Sequence, residues 1–156
     1  MILMKNDVLR RLRYALDILD ADAIEIFALG DYKIEKEELT NYYKKDTDEG
    51  FVECSDFVLA CFLDGLITKK RGRKDDAPVA QRDKNMQLSN NAILKKIRIA
   101  LNFQEQDMLT VLARGGNVIS KSELSALFRQ KNQKNYKECG DQILRNFLTG
   151  LNGYTK

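Results

Sequence analysis

Sliding the chain against itself by 85 residues aligns residues 6–66 with 91–151 without a gap, and 20 of the 61 paired positions are identical. Unrelated chains of ordinary composition share about one position in sixteen, so the match marks an internal duplication. Such a chain must fold as one supersecondary unit used twice. The clearest repeated stretch runs from Glu53-Cys54-Ser55-Asp56 through Phe62-Leu63-Asp64-Gly65-Leu66 and returns as Glu138-Cys139-Gly140-Asp141 through Phe147-Leu148-Thr149-Gly150-Leu151. Its apolar positions lie three and four apart, the stripe of a helix that buries one face.

Each copy reads as four helices. The first starts with Asn6 or Asn91 as its cap and carries Val8, Leu9, Leu12, Ala15 and Leu16 on one side. The second starts near Asp20 or Asp22 and stops at Gly30, where glycine can take the left-handed conformation that closes a helix. The third opens in the second copy with a Ser120-x-x-Glu123 capping box, replaced by Glu35 and Glu38 in the first. No segment alternates apolar and polar residues long enough for a strand. The expected fold is all-α: two tandem four-helix repeats, 6–66 and 91–151, packed into one compact pseudo-symmetric unit around a basic linker, 67–90.

The chain has no histidine. That removes Ser-His-Asp and Cys-His nucleophilic chemistry, most catalytic zinc sites and the usual proton shuttle near neutral pH. Cys54, Cys61 and Cys139 are odd in number and form no C-x-x-C pair, which suits reduced thiols in a cytoplasm. No secretion signal or membrane-length apolar run is visible. Asp46-x-Asp48-x-Gly50 departs from a calcium loop, because its glycine falls one place early and Phe57 stands where the last ligand belongs. Glu53, Cys54 and Asp56 could be drawn as acid, thiol and base, yet at a helix start acids favour the dipole and a cysteine is commonly just buried.

The runs Asn6-Asp7-Val8-Leu9-Arg10-Arg11-Leu12-Arg13-Tyr14-Ala15-Leu16, Phe62-Leu63-x-Gly65-Leu66-Ile67 and Lys70-Arg71-Gly72 resemble the YehS-like family. So do Leu94-Lys95-Lys96-Ile97-Arg98-Ile99-Ala100 and Glu138-Cys139-Gly140-Asp141-Gln142 in the second copy. These are small bacterial proteins made of two copies of a domain of unknown function. The resemblance implies the two-copy architecture and a bacterial cytoplasmic setting, and it brings no activity and no functional residues.

Charge separates the copies. The first carries a net −8, the second +5 and the linker +4. Opposite surfaces of similar shape attract, within one chain or head to tail between chains as a homodimer. Candidate contacts for a phosphate or partner are Arg10, Arg13, Lys95 and Arg98 on the first helix of each copy, and Lys69, Lys70, Arg71, Arg73 and Lys74 in the linker. The alternative for Arg13 and Arg98 is a structural pair with Asp56 and Asp141. The segment 107–130 faintly resembles a helix-turn-helix, but the first copy puts acids on the would-be reading helix. The expectation is a non-enzymatic binding or regulatory module that needs no cofactor or metal and contacts a protein partner. The alternative is a nucleic-acid binder using the basic second copy and linker, and an enzyme with paired carboxylates ranks last.

Overall fold

The computed structural model describes residues 2–72 and 82–154, and over them the chain is helical with no strand. The order is α1 (Lys5–Ala15), α2 (Asp20–Leu29), α3 (Lys36–Tyr43), α4 (Asp56–Arg71), α5 (Asn90–Leu101), α6 (Glu105–Arg114), α7 (Lys121–Leu127) and α8 (Asp141–Gly150). The duplication is thus folded as two four-helix units. The apolar stripes do what their spacing dictates: Val8, Leu9, Leu12 and Ala15 of α1, and Ile93, Leu94, Ile97 and Ala100 of α5, are all buried. The equivalent residues Asp17 and Asn102 follow α1 and α5 with φ of 53° and 56°. Short polar side chains tolerate that left-handed turn.

Within each copy the second helix packs on the fourth, α2 on α4 and α6 on α8. Between copies the contacts cross: α4 lies along α5, and α8 more lightly against α1. The fourth helix of either half is therefore shared with the first helix of the other, the arrangement of a two-fold pair. Phe27, Phe62 and Phe147 are the largest side chains wholly inside, with Phe27 and Phe62 rings 5.1 Å apart.

Three local expectations change. Asn6 and Asn91 are not caps, since they sit inside α1 and α5, whose caps are Met4 and Ser89. The Asn6 amide donates to the Tyr42 and Val52 carbonyls at 3.0 and 2.9 Å, while its oxygen accepts the Cys54 N–H at 2.8 Å. Asn91 does the same with Leu127, Lys137 and Cys139. One asparagine per copy thus ties the first helix to both ends of the connection between the third and fourth.

Gly30 is not left-handed: its φ is −90°, and that of Gly115 is −84°. These glycines are demanded by proximity instead. A Cβ on Gly30 would stand 1.9 Å from the Cys61 carbonyl oxygen, and one on Gly65 would stand 1.7 Å from that of Ile26. Gly115 and Gly150 meet Asn146 and Val111 in the same way. Finally, α4 runs on to Arg71, so Lys69, Lys70 and Arg71 ride its last turn, where cations suit the helix dipole. The capping box of α7 forms as expected, with Ser120 and Glu123 exchanging bonds of 3.1 Å.

Candidate binding surfaces

The seam between the copies is built from residues at matching positions. The Leu3 N–H donates to the Asp141 carboxylate at 3.0 Å, and the Leu88 N–H, 85 residues on, donates to Asp56 at 2.8 Å. Each half thus holds the lead-in backbone of the other. The Leu3 bond, ahead of one from Asn90, keeps the Asp141 carboxyl below the usual carboxylate range. Farther along, Lys96 meets Asp64 at 2.5 Å across α5 and α4, and Arg11 donates to Thr149 at 3.3 Å at the equivalent place on α1 and α8. Arg82 joins Asp64 at 2.8 Å and also binds the Gly30 carbonyl. Among the described ion pairs, only Lys96–Asp64 links the basic copy to the acidic one.

The thiols lie under this seam. Burial pushes Cys54 up to about 12 and Cys139 up to about 11, so neither offers thiolate near neutral pH. Alkylation with iodoacetamide at pH 7.5, followed by mass spectrometry, is expected to leave both unmodified in the folded protein and to label both after unfolding. At either helix start the would-be base, Asp56 or Asp141, accepts a backbone N–H from the other half, while Glu53 and Glu138 stand exposed.

The predicted cations scatter. Arg10 donates to the Lys44 carbonyl at 2.8 Å and pairs with Asp7. Arg13 does not reach Asp56: it lies 4.3 Å over the Tyr43 ring and 3.6 Å from Asp20. Arg98 likewise stacks on Phe128 at 4.7 Å and donates to the Phe103 carbonyl, away from Asp141. Both copies thus spend this arginine on an aromatic ring of the third helix or just beyond it. Lys69 pairs with Glu25 at 3.1 Å, Lys70 and Arg71 are exposed, and Arg73 and Lys74 lie outside the described residues. The Lys95 side chain stands exposed and makes no ion pair or hydrogen bond among the described residues.

Two surfaces stand out, each lined by one of the candidate cations, Arg10 in the first and Lys95 in the second. One is a groove of about 180 Å³ between α1 and α8, lined by Arg10, Arg11, Tyr14, Leu148 and Asn152. Tyr14 is 74% exposed there, a large ring left in solvent in a groove that Arg10 and Arg11 also line. The other is a cleft of about 310 Å³ between α5 and the connection after α7, edged by Lys95, Arg129, Lys131 and Tyr136. Its signal in the sequence is the charge difference between equivalent connections, Asp46, Asp48 and Glu49 in one copy and Lys131, Gln133 and Lys134 in the other.

Among the described residues no group of histidine, cysteine and carboxylate side chains could hold a metal, and no helix is long and apolar enough to cross a membrane. These features define a tandemly duplicated, pseudo-symmetric helical protein whose distinctive chemistry lies on its surfaces. The chain belongs to the family described as protein of unknown function (DUF1456), whose profile matches it twice, over residues 5–72 and 90–156. It is 40% identical over 149 residues to the uncharacterized protein YehS of Escherichia coli (strain K12), spanning 96% of this chain and 94% of that protein. The YehS-like resemblance and its two-copy architecture therefore hold. No solved structure matches the chain.

Proposed function

We propose that the chain is a non-enzymatic binding module, a rigid helical frame that holds a protein partner on the α1/α8 groove. The observation that carries this reading is Tyr14. An aromatic ring three-quarters in water contributes nothing to the fold, whereas tyrosine and arginine are the residues that most often dominate protein interfaces. The Tyr14 ring supplies the exposed apolar surface over the buried Leu148, and Arg10 and Arg11 give the rim a positive sign that selects a partner with acidic side chains around an apolar tip. Both copies contribute to this groove, which gives the duplication a use beyond stability.

A second reading, nucleic-acid binding through the basic second copy, is favoured by the number of its cations left without partners. One experiment weighs the two. Full-length protein is immobilised and exposed to a lysate of its native host, and the captured partner is then titrated. Tyr14→Ala is expected to weaken binding about 30-fold, the effect of losing an interface residue worth about 2 kcal/mol. Equal affinity for both forms would remove the groove from the reading. Capture abolished by nuclease treatment would transfer it to nucleic acid.

A further inference from the structure

We propose that the cleft of the second copy, between α5 and the connection after α7, is a phosphodiester site for single-stranded nucleic acid. It rests on the second reading above and gives it an address. The argument comes from the difference between two equivalent places in one molecule. In the first copy this position is filled from within: Arg10 spans it to the Lys44 carbonyl and is held by Asp7, and Lys44 in turn donates to the Glu49 carbonyl at 3.0 Å. In the second copy Asp7 has become Ala92, Arg10 has become Lys95 and Lys44 has become Arg129. The internal strap is gone, and Lys95, Arg129, Lys131 and Lys134 are exposed with no ion pair or side-chain hydrogen bond among the described residues.

Lys95, Arg129 and Lys131 form a track rather than a point, with Lys134 on the same connection. Arg129 edges both the first cleft and a neighbouring one of about 430 Å³, which Ser122, Ser125 and Asn135 also line. The chain of donors passes over α7 with neutral hydroxyl and amide groups between the charges. Its two acids are Glu138, at the rim, and Glu105, which lies 3.7 Å from Lys121. A repeating anion along a flexible backbone satisfies such a track. Tyr136 stands half-buried in the first cleft outside the packed core, a ring face on which an unpaired base can stack. A duplex keeps its bases stacked on one another and would leave that ring unused.

The test measures fluorescence anisotropy of a labelled single-stranded oligouridylate with the full chain across a salt series. For single strands each neutralised phosphate adds about 0.7 to the slope of log K against log salt. The variant K95E/R129E/K131E is therefore expected to bind at least tenfold more weakly, with a slope shallower by about 2. Tyr136→Ala is expected to lose about tenfold with its slope unchanged. Circular dichroism checks each fold, and Arg129→Gln alone, expected to lower the slope by about 0.7, serves if the triple variant unfolds. An unchanged slope in the folded triple variant, or in Arg129→Gln where that variant stands in for it, would overturn the site while leaving the nucleic-acid reading intact. No binding by the unmodified chain would overturn both. Equal affinity for a duplex, or tighter binding of polyglutamate of matched charge, would also overturn the proposal, the latter by assigning the cleft to an acidic protein.

Discussion

Gly65→Ala is expected to destabilise the protein by about 3 kcal/mol or more, enough to threaten folding of a domain with ordinary reserves. The sign is opposite to what helix propensity alone dictates, since alanine in a helix interior is favoured over glycine by about 1 kcal/mol. Geometry decides: the added carbon would lie 1.7 Å from the Ile26 carbonyl oxygen, which is backbone and cannot rotate away. That same oxygen accepts the Gly30 N–H at 3.1 Å, so separating α2 from α4 also disturbs the close of α2. Gly150→Ala should behave alike, its carbon falling 1.8 Å from the Val111 oxygen. Gly140→Ala is the control, because nothing lies within 4 Å of its added carbon and its φ is −73°. Urea denaturation at constant m separates the outcomes, and a Gly65→Ala midpoint equal to that of the unmodified chain would contradict the close approach of the two helices.

The second large effect is expected at Asn6. Truncation to alanine leaves the Tyr42 and Val52 carbonyls and the Cys54 N–H without their partner, in a place where the asparagine itself has no solvent exposure. Each buried group left unsatisfied costs about 1–3 kcal/mol, and because such costs are not additive the sum should come to about 3–5 kcal/mol. Asn6→Asp should be worse at neutral pH, since it turns a donor toward two carbonyls into a buried carboxylate oxygen facing them. Asn91→Ala should cost less because its bond to the Lys137 carbonyl is exposed. Thermal unfolding of the two single variants tests this order, and equal losses at the two positions would contradict the difference in burial.

Most of the scaffold was legible because the duplication doubles every signal. A stripe such as Val8, Leu9, Leu12 and Ala15 is ambiguous alone but is hard to misread when Ile93, Leu94, Ile97 and Ala100 repeat it. What escaped were contacts between elements distant in sequence. Gly30 looks like a helix stop from its neighbours, and only the arrival of α4 at Cys61 and Gly65 reveals why a side chain is forbidden there. Asn6 carries the composition of a cap, yet its partners lie 36 and 46 residues away. The charge of Arg13 suggests an acid of the fourth helix, yet the fold lays it over the Tyr43 ring and beside Asp20. The candidate surfaces are legible only in part: Arg10 and Lys95 stand out by charge, but nothing in the spacing says that the Tyr14 ring is left in solvent.

The reciprocal grip of Leu3 by Asp141 and Leu88 by Asp56 has a consequence for descent. This is the two-fold geometry of a homodimer carried within one chain. While two identical protomers meet, any substitution appears on both sides at once. Fusion lifts that rule: Asp64 could arise opposite Lys96 while Thr149 stands opposite Arg11, and one half could turn acidic while the other turned basic.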